Sequence, residues 1–125
     1  MPRSATTVLM VCATLAVAGA CAPTASTMDA EQFASARTVL QESPSMRTKA
    51  VDECSAKQAL RPEGDRAMIG AVLKVDAQAA PAELCRRIVK AIVDGRLSHE
   101  DYVAVSSGSQ DRKALARLVR AVSDS

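Results

Sequence analysis

Aromatic side chains are almost missing from this chain: Phe33 and Tyr102 are the only two among 125 residues, and there is no tryptophan. Core volume must therefore come from Val, Leu, Ile, Met and Ala, a mixture that favours helices over sheets. Charge of one sign is lacking too. Sixteen basic and 14 acidic side chains leave a formal charge of +2, without the strongly basic face that a general nucleic-acid binder needs. The same balance, with 48% apolar residues, excludes a disordered polyelectrolyte. Histidine occurs once, as His99, so a histidine-built metal centre has too few ligands. No G-x-S-x-G, H-E-x-x-H or glycine-rich phosphate loop is present, and no carboxylate pair has a supporting frame. The composition and motifs point to a non-enzymatic protein with no cofactor and no metal.

What is there begins at the N-terminus. Met1 to Thr7 carries Arg3 and the amino group as its positive charges, and Val8 to Gly19 is an apolar run of 12 residues. That is the length of a signal-peptide core, whereas a membrane-spanning helix needs about 20 predominantly apolar residues. Small residues follow immediately before a cysteine, in Val17-Ala18-Gly19-Ala20-Cys21. Taken alone, these residues fit a leader cut after Ala20. They also admit an uncleaved anchor, because no charge falls between Ser4 and Met28.

The segment resembles the bacterial lipoprotein class, whose leader ends in a lipobox of small or aliphatic residues followed by cysteine. The resemblance covers residues 1–21 only. It implies cleavage before Cys21, a thioether-linked diacylglycerol on that cysteine and, often, a third acyl chain on the new amino terminus. Two or three chains anchor a protein stably where one holds it marginally. Ala22 is not the aspartate that retains some lipoproteins in the inner membrane, so the resemblance implies the outer membrane, with the protein facing the periplasm. The expected organisation is a signal peptide over 1–20, a lipidated cysteine and short tether over 21–28, and one helical domain over 29–125.

Cysteine usage agrees with that address. Of Cys12, Cys21, Cys54 and Cys85, the first leaves with the leader and the second takes the lipid. Two remain in a compartment where disulfides persist, and two make one pair. A bond between Cys54 and Cys85 closes a loop of about 31 residues, worth roughly 3–4 kcal/mol in the chain-entropy treatment. A redox pair would show close C-x-x-C spacing, and a metal site would need further ligands.

Along the mature chain the periodicity is helical, and the expected fold is all-α, a small disulfide-stapled bundle of five or six short helices. Asp29 with Gln32 reads as a capping box, and Ser43-Pro44 ends the first helix. A second helix is expected over Met46 to Ala59, and a third from Pro62 to Val75 with Met68, Ile69, Val72 and Leu73 as its core stripe. Ala77 to Ala80 reads as a connection. Pro81 opens the fourth helix, whose Cys85, Ile88, Val89 and Ile92 recur at helical spacing, and Gly95 closes it. Ser98 with Asp101 caps a fifth helix. Gly108 breaks the chain and Ser109 caps a sixth, with Leu115, Leu118, Val119 and Val122 as its stripe.

Two basic groups stand out as a possible binding patch: Arg86, Arg87, Lys90 and Arg96 on the fourth helix, and Lys113, Arg117 and Arg120 on the sixth. As a solvated face they need no partner. Side by side they would suit anionic headgroups or an acidic protein. His99 reads as a surface residue at a helix start. The functional expectation is a lipoprotein that binds another envelope component through a helical surface. A stress or chaperone-like role and an immunity-type inhibitor of a toxin or lytic enzyme stand as alternatives.

Overall fold

A computed structural model describes residues 28–107 and 111–124, and every described element is helical. The leader, Cys21, and the tether up to Thr27 lie outside the described residues, as do Gly108 and Ser109. The helices are α1 (Ala30–Glu42), α2 (Pro44–Gln58), α3 (Glu63–Leu73), α4 (Ala80–Val93), α5 (His99–Ser106) and α6 (Arg112–Ser123).

Local chemistry sets the helix ends. The Gln32 amide donates to Asp29 Oδ1 at 2.8 Å and the Asp29 amide to Gln32 Oε1 at 3.1 Å, so the expected capping box opens α1. Ser43 both ends α1 and caps α2 through its hydroxyl, with Pro44 at the first helical position. This starts α2 two residues before the expected Met46, because a proline is well suited to a first turn. Ala80 belongs to α4 rather than to the connection: Asp76 turns the chain by accepting the Ala79 amide at 2.8 Å. Ser98 and Asp101 form the second capping box. The cap of α6 is Asp111, whose side chain accepts from the Lys113 amide, and not Ser109. An aspartate is a good helix cap in its own right, and it sits immediately before the first helical residue.

α4 is the central element. It packs on α1, α2, α3 and α6, while α5 packs on α1 and α6. Ala80, Cys85, Val89 and Ala91 of α4 are buried together with Phe33, Leu73, Leu97, Ala114, Ala121 and Val122. Four of these ten residues are alanines, so the helices approach closely and the core is thin. The Cys54–Cys85 disulfide, with Cα atoms 5.8 Å apart, bolts α2 to the first half of α4. After α4, Gly95 takes a positive φ of 75°, and the Arg96 and Leu97 amides both fold back onto the Ala91 carbonyl.

The scarce aromatics are gathered in one place. The Phe33 ring lies 5.5 Å from Tyr102 and 5.6 Å from His99, with the Arg37 guanidinium 5.2 Å above it. His99 Nε2 is 2.7 Å from the Met28 carbonyl oxygen. His99 therefore fastens the first described residue to α5, and it is half-buried rather than a simple surface residue.

Candidate functional site

An apolar groove of about 480 Å³ lies between α3 and α6. Met68, Ile69, Val72 and Leu73 form one wall and Leu115, Leu118, Val119 and Val122 the other. Leu84 and Ile88 of α4 make the floor, Val105 of α5 lies at the α6 side, and Gln58 with Arg61 stands where α2 passes into α3. These walls are the two stripes that the sequence marks as core. Leu73 and Val122 are buried as expected, but Met68, Val72, Leu115 and Val119 are 68%, 48%, 42% and 45% exposed.

The reason lies in which side chains meet α4. The face of α6 that is buried carries Ala114, Ala121 and Val122. α3 is buried through Gly70 and Leu73. Small residues take the closest contacts, and the larger stripes are rotated to the side, toward each other across open space. Sequence reasoning weighted Leu and Val over Ala and so missed the groove. The seven-residue spacing of Ala114 and Ala121 was the available signal.

Arg87 joins the two walls at one end. Its Nη1 donates to the Val122 carbonyl at 3.0 Å and its Nη2 to the Leu73 carbonyl at 3.3 Å, at the C-terminal ends of α6 and α3. Glu83 fixes Arg87 through Nε at 2.5 Å and pairs with Arg86 as well. The Arg86 and Arg87 hydrogen bonds hold the Glu83 carboxyl at a pKa of about 2, well below its ordinary range. At the other side of α6, Arg117 donates to the buried Asp101 at 2.5 Å. Burial pushes the Asp101 pKa up, but bonds from Arg117 and Ser98 outweigh it and hold the carboxyl below its ordinary value.

Lys90 pairs with Asp94 at 2.7 Å, and Arg96 reaches Asp94 at 3.2 Å and the Ala121 carbonyl at 2.6 Å. Lys90 and, next, Arg96 keep the Asp94 carboxyl ionised below its usual range despite some desolvation. Arg87 and Arg96 thus reach backbone carbonyls at the end of α6, whereas Arg117 turns to Asp101 on α5. Five of the seven cations are engaged in internal ion pairs. Lys113 and Arg120 are exposed and form no ion pair with another described residue.

Among the described residues no three His, Cys, Asp or Glu side chains are grouped to hold a metal ion. No helix there is long and apolar enough to cross a membrane. Of the groove's two polar liners, Arg61 donates from Nε to Gln58 Oε1 at 2.5 Å. What remains exposed is aliphatic surface flanked by charge, an arrangement suited to packing against another apolar surface. No protein-family model, curated protein or solved structure matches this chain.

Proposed function

We propose that this chain is a non-enzymatic lipoprotein of the bacterial cell envelope, anchored through lipid on Cys21 and facing the periplasm, that binds a protein partner in the α3/α6 groove. The observation that carries the binding role is the groove itself. Met68, Val72, Leu115 and Val119 present contiguous aliphatic surface to solvent. Soluble monomers rarely leave such patches open without using them for interaction.

A protein surface suits this groove better than a small polar ligand. Small-molecule sites fix orientation with a few convergent polar groups, and here Gln58 and Arg61 are turned to each other. Two ridges at i, i+4 spacing, Met68–Val72 and Leu115–Val119, form the kind of surface into which side chains of a facing helix pack. The anchor is supported by the leader and the small residues before Cys21. The Cys54–Cys85 bond suits an oxidising compartment. Outer-membrane residence follows from Ala22 under the lipoprotein resemblance.

The test is a photo-crosslinking side chain placed at Leu115 of the full-length protein in intact cells, with Lys49 on exposed α2 as control. The expected result is a defined protein adduct from position 115 that is absent from position 49. Equal adduct patterns from the two positions, or none from 115, contradict a docking role for the groove.

A further inference from the structure

We propose that the cleft between α2 and α4 is a second binding site, for a small aliphatic monocarboxylate. Arg47, Arg86 and Lys90 hold the head group, and the chain lies on Val51, Val89 and Val93. This site goes beyond the docking role of the α3/α6 groove and shares no lining residue with it.

The two walls are written at one-turn spacing. α2 brings Arg47 with Val51, and α4 brings Arg86 with Lys90 and Val89 with Val93, each pair four residues apart. Together they border a cleft of about 520 Å³, within the ordinary range of roughly 300–1,000 Å³ for small-ligand sites. Val89 is buried and Val51 and Val93 are half-buried, so the floor is branched aliphatic surface. Unlike the α3/α6 groove, this cleft sets several charged groups around an apolar floor, the combination that fixes a small ligand's orientation. The Cys54–Cys85 disulfide clamps the walls beside it: Cys85 directly precedes Arg86, and Cys54 lies one turn beyond Val51. The cations are thereby held in place before a ligand arrives.

Positive charge is left over at this cleft. Glu83 serves both Arg86 and Arg87, and Asp94 serves both Lys90 and Arg96, so each carboxylate neutralises only one of its two cations. Arg47 forms no ion pair with another described residue. Its Nη1 donates to the Leu40 and Gln41 carbonyls at the end of α1, at 2.6 and 3.1 Å. Arg86 gives Nε and Nη2 to Glu83, and Lys90 gives one proton to Asp94. Nη1 of Arg86 and the other protons of Lys90 are left for an anion. Asp52 is the one carboxylate in the lining, and it is exposed. It tolerates a single negative charge nearby and disfavours a second, which selects a carboxylate over a doubly charged phosphate.

The experiment is methyl nuclear magnetic resonance of the full chain in a nonionic detergent, titrated with octanoate. Saturable shifts of the Val51, Val89 and Val93 methyl groups are expected, with a Kd of about 1 mM or below. Octanol, with the same chain and no charge, is expected to bind at least about tenfold more weakly. Inorganic phosphate is expected not to compete. Arg47→Gln and Lys90→Gln are each expected to weaken octanoate binding about tenfold. Asp52→Asn is expected to tighten it, a gain that damage to the fold would not produce.

Shifts that do not saturate, or that appear at Leu115 and Val119 instead, overturn the proposal. Equal binding of octanol and octanoate overturns the role of the cations, and so does octanoate binding that survives both glutamine substitutions. Competition by inorganic phosphate, or weaker binding by Asp52→Asn, overturns the selection of a monocarboxylate. The crosslink from position 115 tests the groove independently of each of these results.

Discussion

Glu83 and Arg87, one turn apart on α4, form the charged joint on which the groove hangs. Glu83 Oε1 accepts from Arg87 Nε at 2.5 Å, and this leaves both terminal nitrogens of Arg87 free to hold the last carbonyls of α3 and α6. The pair is largely shielded, with side-chain exposures of 15% for Arg87 and 20% for Glu83. Removing one partner of a shielded pair leaves the other uncompensated. Arg87→Ala is therefore expected to cost about 2–4 kcal/mol in urea unfolding. Arg87→Lys recovers little of that, since one ammonium lacks the planar fork that serves three acceptors. A loss below about 0.5 kcal/mol, the range of ordinary surface changes, would show that Arg87 does not join α3 to α6.

The same carboxylate sets an acid limit. The Glu83 pKa is lowered from 4.5 to about 2, by its bonds to Arg86 first and Arg87 second. Asp101 is lowered as well, burial opposing and the Arg117 and Ser98 bonds prevailing. A depressed carboxyl stays ionised in the folded chain while the unfolded chain has already taken up its proton. Its contribution is complete above the unfolded value and is lost as pH falls through the folded one. The urea midpoint is expected to hold above about pH 5 and to fall steadily toward about pH 2, with Glu83→Gln removing much of that slope. A midpoint that stays level through this window contradicts the assignment. Loss of near-ultraviolet circular dichroism near pH 3 with helix retained would favour a stress-related role for the groove.

The disulfide carries a prediction of its own. Cys54 and Cys85 close a loop of 31 residues between α2 and α4, and the core that this bond supplements is rich in alanine. Replacing both cysteines with serine is expected to cost roughly 3–4 kcal/mol in urea unfolding. For a domain of this size that is a large part of the total, so the variant should be partly unfolded at growth temperature. A double-serine protein that matches the original midpoint contradicts this.

Gly70 and Lys74 predict opposite effects four residues apart. A Cβ on Gly70 would stand 2.6 Å from the Val75 carbonyl oxygen, a backbone atom that cannot swing away. Gly70→Ala is expected to destabilise by about 1–3 kcal/mol despite alanine's better helix propensity. Lys74 ends α3 with a positive φ of 60°, a conformation that glycine adopts without cost to its side chain. Lys74→Gly is expected to stabilise by about 0.5–1 kcal/mol. Thermal unfolding of the two variants separates these outcomes, and a stabilising Gly70→Ala would mean that the turn after α3 is looser than described.

The helices were legible because their ends are written in local chemistry. Asp29, Ser98 and Gly95 act within three or four residues of themselves, so a reader of the chain finds them. The pairing of Cys54 with Cys85 was legible by counting. What was not legible was the orientation of each stripe. Leu115 and Val119 look like core because they recur at helical spacing, but spacing says only that they share a face. Whether α4 lies beneath that face depends on Ala114 and Ala121, whose small size permits the closer approach. The ion pairs that absorb Arg86, Arg87, Lys90 and Arg96 include local partners, Glu83 and Asp94. The carbonyls that Arg87 and Arg96 reach in α3 and α6 come from distant parts of the chain and needed the fold.

The groove acts in the envelope only if the chain is held there by lipid on Cys21, as proposed. Intact mass of the chain extracted from native membranes, before and after reduction and alkylation, tests it most directly. The predicted result is a polypeptide that starts at Cys21, carries two or three acyl chains, and yields two alkylatable thiols only after reduction. A chain that starts at Cys21 without lipid, or that keeps its leader, would contradict the anchor. Two thiols free before reduction would contradict the disulfide.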